Sequence, residues 1–218
     1  MDFHQILRAI SVGAIPILLA VTLHEVAHGR AARHFGDRTA EAQGRLSLNP
    51  LSHVDLFGTI LMPAFLFFIG SPFLFGWAKP VPVDARNFRH PRRDMAFVAA
   101  AGPGSNLVMA AAWTAIGGLA ASGLFGQGAL GEWLLNMGVV GLFFNVLLAV
   151  FNLVPIPPLD GGRVLVGLLP LGPARAVARL EPFGLWIVIA LLLLANRTGL
   201  SLAPIVARLS ALIARLFS

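Results

Sequence analysis

The amino-acid sequence predicts an all-α polytopic membrane protein, and three observations lead to this fold class. Hydrophobic residues make up 57% of the 218-residue chain and charged residues only 12%, whereas soluble domains carry about 25% charged residues. The mean hydropathy is +0.80. Several apolar runs approach the roughly 20 residues that a helix needs to cross a bilayer. Lipid is therefore the expected solvent for much of the surface.

The apolar runs define the expected elements in chain order. The first helix is predicted over about residues 6–32, and a polar loop with a short strand and turn within 44–55 follows it. Residues 56–78 are apolar but are interrupted by Gly and Pro. Further helical segments are expected at about 95–121, 132–153, 161–170 and 183–195, before an amphipathic C-terminal helix. This amounts to about five to six membrane helices or segments.

The distribution of basic residues predicts a topology. The loops 30–45 and 79–93 are both rich in Arg, so the positive-inside rule places both in the cytoplasm. A full crossing by residues 56–78 would separate these loops. We therefore expect a re-entrant or β-strand element between the first helix and the next core helix, covered by protein or by a wet cavity.

Composition also excludes several classes of protein and site. The chain has no Cys, which rules out disulfides, thiol nucleophiles and Cys-ligated zinc. The basic residues lie in short loops between apolar runs, so no nucleic-acid partner is expected. An N-terminal signal peptide is disfavoured because the first apolar run lacks a convincing cleavage site and contains the motif HEVAH.

HEVAH, at residues 24–28, carries the main chemical signal. Residues four apart share one face of a helix, so His24 and His28 can bind one metal ion while Glu25 reaches a water molecule beside it. The alternative is a charged helix end with two incidental histidines. Ionisable residues inside a membrane helix cost roughly 2.5–3.5 kcal/mol each, which favours a functional interpretation.

A catalytic zinc ion usually has three protein ligands and one open position. Glu41 is a nearby acid, but it lies in a polar loop. Asp160 follows a helix end broken by prolines in PIPPLDGG, where Gly161 and Gly162 permit a close backbone approach. Because Asp-Gly is also an ordinary turn sequence, the residues alone leave the third ligand open.

Together, HEVAH and NLVPIPPLDGG (152–162) resemble the site-2 protease family of intramembrane zinc metalloproteases. GPGSN (102–106), NPLSHVDLFGT (49–59) and GWAKPVPV (76–83) extend the resemblance to a compact bacterial branch without PDZ or CBS domains. The resemblance covers roughly residues 10–170.

The resemblance implies His24, His28 and Asp160 as ligands of one Zn²⁺ per chain, and Glu25 as the catalytic base. It implies hydrolysis of peptide bonds in or near transmembrane segments of membrane-protein substrates. We expect one membrane-embedded domain over 1–218, with a core at about 10–170 and C-terminal helices at 171–218. Its expected place is the cell (inner) membrane, as a multi-pass protein with the active site toward the cytoplasm.

Other polar residues have a functional and a structural interpretation. Asn152 and Asn106 are candidates for oxyanion stabilisation or substrate alignment, or else form interhelical hydrogen bonds. His53 is a candidate gate or fourth metal contact, or else a turn residue. The small residues at 99–105 are expected to serve helix packing. The extended stretches 44–48 and 76–83 are candidates for binding an unwound substrate as an added strand.

The sequence disfavours three other functional classes. A transporter or metal channel should show inverted repeats, and none is evident. A pseudoenzyme should lack a ligand or the base, and a di-iron oxygenase needs more paired histidines than the six present. The expected partners are a transmembrane protein substrate and the lipid bilayer, and homo-oligomerisation stays open.

Overall fold

The computed structural model describes residues 3–70, 76–199 and 201–217, and regular structure within these ranges is entirely helical. Short 3₁₀ turns lie at Pro50–His53, Ala85–Asn87 and Glu181–Phe183, and a π-helical turn lies at Leu56–Leu61. The α-helices are α1 (Phe3–His34), α2 (Thr39–Ala42), α3 (Met62–Phe68), α4 (Pro91–Ala121), α5 (Ala129–Asn152), α6 (Asp160–Leu168), α7 (Leu171–Ala178), α8 (Gly184–Thr198) and α9 (Ala203–Ala214). The predicted all-α class is confirmed.

Four stretches of the described chain are long and apolar enough to cross a membrane. They are Leu7–His34, Pro91–Ala121, Ala129–Asn152 and Leu171–Ala195. Two shorter apolar stretches cover Leu56–Phe68 and Ala203–Ala214. These stretches support a polytopic membrane protein. The count of five to six segments stays a prediction, because five requires one of the shorter stretches to lie in the bilayer and six requires both.

Helices α1, α4 and α5 form the core of the bundle. The approach of α4 to α5 is close, since a Cβ atom on Gly138 would lie 2.7 Å from Cα of Gly117. Small residues at such a crossing favour helix association in lipid, where van der Waals contact replaces the hydrophobic driving force. Helix α9 packs on this core through Val206 and Ile213, which are buried against α4 and α5.

Helix α4 begins four residues earlier than the sequence predicts. Pro91 occupies its first turn, where a missing N–H costs nothing. The carboxylate of Asp94 accepts a hydrogen bond from the His90 backbone N–H at 2.8 Å, which closes a capping interaction of the kind that starts helices. The apolar pattern alone does not mark this start, because the first turn is polar.

The short strand predicted within 44–55 is wrong, since residues 44–46 form a turn, residues 47–49 are irregular and Pro50–His53 is a 3₁₀ turn. Residues 76–83 are also irregular and form no strand. Only isolated hydrogen bonds join the second stretch to its neighbour: Trp77 N–H donates to Gly58 C=O at 3.1 Å, and Lys79 N–H to His53 C=O at 2.9 Å. Pro80 and Pro82 lack the backbone N–H that the hydrogen-bond ladder of a β-sheet requires.

The re-entrant path of residues 56–78 stays a prediction. Its first part is helical, from the π-helical turn through α3. Residues 71–75, where the chain would turn back, lie outside the described residues.

Candidate metal centre

Asp160 reaches the bundle core through the turn that joins α5 to α6. A Cβ atom on Gly161 would lie 2.3 Å from Leu153 O, and one on Gly162 would lie 2.3 Å from Pro157 N. Neither position can carry a side chain, so the glycines allow the first turn of α6 to lie directly on the preceding loop. The predicted close backbone approach at LDGG is thereby confirmed, and it places the Asp160 carboxylate beside α1.

Three potential metal ligands converge at this point. His24 Nε2 lies 3.2 Å from Asp160 Oδ2, and His28 Nε2 lies 3.3 Å from the same oxygen. The two Nε2 atoms are 3.1 Å apart, and the imidazole planes stand at 88° to each other. All three side chains are almost fully buried. Two imidazoles and one carboxylate are a ligand set that catalytic zinc sites use.

The hydrogen bonds behind the two imidazoles decide which ring nitrogens face the centre as acceptors. His24 Nδ1 lies 2.7 Å from Asn106 Oδ1, and His28 Nδ1 lies 2.8 Å from the Val98 backbone oxygen. Both partners are acceptors, so each Nδ1 must donate, and each neutral ring then presents a lone pair at Nε2.

Asp160 Oδ2 is buried without a hydrogen-bond partner of its own. Together with the two Nε2 lone pairs it forms a group of three acceptors with no donor between them. Such a group is costly in a buried setting unless a cation satisfies it. These three ligand atoms therefore fit a divalent metal ion, and they all lie within 4.8 Å of one another.

Gly102 of α4 leaves the space for the two rings. A Cβ atom at this position would lie 2.4 Å from His28 Nε2 and 2.6 Å from His24 Cε1. The sequence predicted only a packing role for the small residues at 99–105. Gly102 is a site residue that this interpretation missed, because nothing local reveals which of several small residues faces the imidazoles.

Glu25 is held by a different part of the chain. Its Oε2 accepts a hydrogen bond of 2.9 Å from the backbone N–H of Val81, in the extended segment 76–84. Val81 is buried, whereas the two residues before it are exposed.

The segment that carries Val81 is itself anchored from two sides. The Arg45 guanidinium donates to Lys79 C=O at 2.8 Å and to Pro80 C=O at 3.3 Å. On the other side, Lys79 N–H donates to His53 C=O at 2.9 Å. These contacts fix the backbone next to the Glu25 carboxylate.

A buried carboxylate ties the far end of segment 76–84 to the end of α1. Asp37 is fully buried and accepts hydrogen bonds from the Thr39 N–H and hydroxyl, from Asn87 Nδ2 at 2.8 Å and from Asp84 N–H at 2.7 Å. Burial raises the pKa of Asp37, but these hydrogen bonds outweigh it and hold the pKa below its ordinary value. The side chain therefore stays ionised at neutral pH.

The remaining sequence candidates fall in different places. Glu41 lies outside the centre and pairs with Arg33 at 2.9 Å near the surface. His53 is buried and hydrogen-bonds through Nε2 to Ser47 C=O at 2.9 Å, but it does not join the three converging ligands of the described residues.

The two candidate amides also differ. Asn106 uses both N–H donors, toward Ala20 C=O and Asn145 Oδ1, which leaves none for an oxyanion. Asn152 is the last residue of α5 and donates to Leu148 C=O at 3.0 Å.

The second buried amide of the core, Asn145, was missed from the sequence. It is fully buried in α5 beside Asn106. A usable signal was present, because Asn145 precedes Asn152 by two helical turns in an otherwise apolar helix, and buried amides in membrane helices need partners.

The chain is similar in sequence to a peptidase family and to proteins named as zinc metalloproteases. Residues 124–195, which include Asp160, match the sequence model of Peptidase family M50. The chain is 38% identical over 178 residues to "Putative zinc metalloprotease YwhC" of Bacillus subtilis (strain 168), covering 81% of this chain and 78% of that protein. It is 31% identical over 176 residues to "Putative zinc metalloprotease Rip2" of Mycolicibacterium smegmatis, covering 81% of this chain and 64% of that longer protein. No solved structure matches the chain.

Proposed function

The chain belongs to the site-2 protease family of zinc metalloproteases, Peptidase family M50, and on that premise we propose that it cleaves peptide bonds in or near the transmembrane segments of other membrane proteins. The observation that carries the proposal is the convergence of three buried acceptors next to Glu25. The four apolar stretches that can cross a membrane place this centre in a membrane protein.

We assign the zinc ligands to His24, His28 and Asp160. When bound there, zinc supplies Lewis acidity that makes water a nucleophile near neutral pH. Val98 and Asn106 keep the two rings in the protonation state that a metal requires, because each accepts a hydrogen bond from Nδ1.

We assign the general base to Glu25. One of its oxygens, Oε2, is held by Val81 N–H, which leaves Oε1 to accept a proton. Water oxygen forms a bond to the scissile carbonyl carbon while Glu25 takes a proton from it. As the C–N bond breaks, Glu25 passes that proton to the leaving amine. Glu25 thereby returns to its carboxylate form at the end of the cycle.

Asn152 is our proposed donor for the oxyanion or the substrate backbone. It lies at the end of α5, immediately before the loop that delivers Asp160. The resemblance of NLVPIPPLDGG (152–162) to the family supports this role. The alternative amide, Asn106, has no free N–H donor.

A helical substrate must unwind, because its scissile carbonyl otherwise lies in its own hydrogen-bond ladder. We propose that residues 44–48 bind the unwound strand by backbone hydrogen bonds. The backbone N–H groups of Leu46, Ser47 and Leu48 have no hydrogen-bond partner among the described residues. Segment 76–83 suits this role less, since its amides at 77, 79 and 81 are already used.

The proposed location is the cell (inner) membrane, with the active site toward the cytoplasm. The supporting observation is the Arg-rich character of 30–45 and 79–93. Segment 79–84 reaches Glu25 and Asp37, so these basic loops and the metal centre lie at the same end of α1.

The decisive experiment is cleavage of a reporter membrane segment in detergent by wild type, Glu25→Gln and Glu41→Gln, with zinc counted per chain in each. Glu41→Gln is the matched control, since that carboxylate lies near the surface on Arg33. We expect about one zinc per chain in all three and a loss of cleavage of at least about 10³-fold in Glu25→Gln alone. Retained cleavage in Glu25→Gln would remove this residue from the base role, and absence of zinc from wild type would overturn the proposed site.

A further inference from the structure

A chain of buried amides leads from α5 through α4 to His24 on α1. His24 Nδ1 lies 2.7 Å from Asn106 Oδ1, Asn106 Nδ2 lies 2.9 Å from Asn145 Oδ1, and Asn145 Nδ2 lies 2.9 Å from Gly141 C=O. Both asparagines are completely buried. The chain of hydrogen bonds thus joins three helices, α1, α4 and α5. Each buried asparagine depends on its neighbour for a hydrogen-bond partner.

Backbone oxygens fix the direction of every hydrogen bond in this chain. Gly141 C=O can only accept, so the nitrogen of Asn145 must face it and the oxygen must face Asn106. Asn106 then faces two acceptors, Asn145 Oδ1 and Ala20 C=O at 3.1 Å, so its nitrogen must point to them. Rotating either amide by 180° would set oxygen against oxygen in a buried place, which is strongly unfavourable.

The direction of these bonds decides the tautomer of His24. With its nitrogen committed, Asn106 presents only its oxygen to the imidazole, so Nδ1 must carry the proton and Nε2 must carry the lone pair. His28 differs, because its Nδ1 donates to the Val98 backbone C=O and needs no side chain. The tautomer of His28 is thus set by a backbone oxygen, and the tautomer of His24 by the side chains of two asparagines.

We propose that Asn145 is a positioning residue for the zinc centre, which acts through Asn106 to hold His24 in the metal-binding tautomer. This inference rests on the proposed ligation of zinc by His24. It assigns a role in metal affinity to a residue that touches neither metal nor substrate. Groups that hydrogen-bond to the non-ligating nitrogen of a metal-binding histidine orient its ring. Their removal typically weakens metal affinity by about 10-fold to 100-fold.

The test is zinc affinity, measured by competition with a chelator in detergent on the full chain, without any activity assay. Asn145→Leu removes the oxygen that accepts from Asn106 and replaces the side chain with one of similar size. We expect the zinc dissociation constant to rise about 10-fold. Asn136→Leu is the matched control: Asn136 lies on the same helix, is exposed and makes the same kind of hydrogen bond, to Glu132 C=O at 2.7 Å. It should bind zinc as wild type does.

The double variant separates positioning from general packing. If Asn145 acts through Asn106, Asn145→Leu should weaken zinc binding no further once Asn106→Leu is present. An unchanged zinc affinity in Asn145→Leu, or additive losses in the double variant, would overturn the proposal. Should Asn145→Leu not fold, Asn145→Ala removes the same acceptor without added bulk and is judged by the same two criteria.

His24→Ala keeps the outcome distinct from failure of the proposed site. If His24→Ala binds zinc as tightly as wild type, the ligand assignment is wrong and the inference falls with it. If His24→Ala loses zinc while Asn145→Leu does not, the site stands and only the role of Asn145 is rejected.

Discussion

His24 and Glu25 are neighbours in one helix, but different kinds of structure hold them. His24 is fixed by a buried network of side chains from α4 and α5. Glu25 is held by one backbone N–H of segment 76–84, which contains no helix. The proposed metal ligand thus depends on the helix core, while the orientation of the proposed base depends on a loop. The two halves of the chemistry should therefore be separable by mutation.

The two supports also differ in how easily they can open. Asn106 and Asn145 are completely buried in long helices, whereas Lys79 and Pro80 are exposed and have no helical hydrogen bonds. Segments with exposed backbone and few buried contacts open at lower free energy than a helical core. Changes in the loop should therefore alter turnover before they alter zinc content.

The largest effect is expected from Gly102→Ala on the ligand side. The new Cβ atom would lie within 2.6 Å of both imidazoles, and forcing a methyl group into a packed core typically costs about 1–3 kcal/mol. Because the rings are what must move, we expect zinc to fall below about one tenth per chain at limiting zinc, with cleavage lost in parallel.

Gly104→Ala is the matched control for this variant. It lies on the same helix two residues later, and its added methyl group would meet no atom within 4 Å. Zinc content and cleavage should equal those of wild type, as measured by metal analysis of the purified proteins. Normal zinc content in Gly102→Ala would show that the rings are not confined as the structure indicates.

A smaller effect, confined to turnover, is expected from Arg45→Gln on the base side. This change removes the guanidinium that anchors Lys79 and Pro80, and so loosens the backbone that holds Glu25. Since small displacements of a catalytic group cost up to about 100-fold, we expect kcat to fall about 10-fold to 100-fold with zinc content unchanged.

Steady-state cleavage of a reporter segment measures this prediction. Arg86→Gln serves as the control, because Arg86 is exposed and its guanidinium pairs, among the described residues, only with the nearby Asp84. A loss of zinc in Arg45→Gln, or an equal fall in kcat in Arg86→Gln, would contradict the separation of the two supports.

The smallest effect is expected in stability and its dependence on pH, through Asp37. The pKa of this carboxyl lies below its ordinary value, so the ionised group stabilises the fold fully above the unfolded pKa of about 3.9. That contribution is lost as the pH falls through the lowered pKa. At pH 7, Asp37→Asn should lower the free energy of unfolding by about 1–3 kcal/mol, since a buried acceptor is replaced by a donor.

Thermal melting in detergent between pH 8 and pH 3 measures this difference. The gap between wild type and Asp37→Asn should be constant down to about pH 5 and should narrow below about pH 4. Glu132→Gln is the control, because its exposed pair with Arg8 should contribute little at any pH. A gap that widens toward low pH would have the wrong sign and would reject the assigned role of the Asp37 charge.

Sequence reasoning succeeded where one local pattern suffices. The apolar runs place α1, α4, α5 and α8 to within about four residues, because the periodicity and length of an apolar run are local properties of the sequence. HEVAH likewise puts two imidazoles on one face of α1, since spacing on a helix is a local property. The same kind of reasoning was wrong for the short strand within 44–55, where the Asn49 side chain and Pro50 start a 3₁₀ turn that an alternating pattern does not reveal.

By itself, then, the sequence determined the membrane class, the helices and the pairing of His24 with His28. Local spacing left Asp160 and Glu41 open as the third ligand, and the family resemblance only implied Asp160. The tertiary structure brings Asp160 and not Glu41 beside the two imidazoles, since Arg33 holds Glu41 near the surface while the glycine turn carries Asp160 inward. It alone brought Gly102, Asn145 and Val81 to the centre. The physical reason is that helix periodicity is encoded within a few residues, whereas contacts between α1, α4, α5 and the loop depend on how whole elements pack.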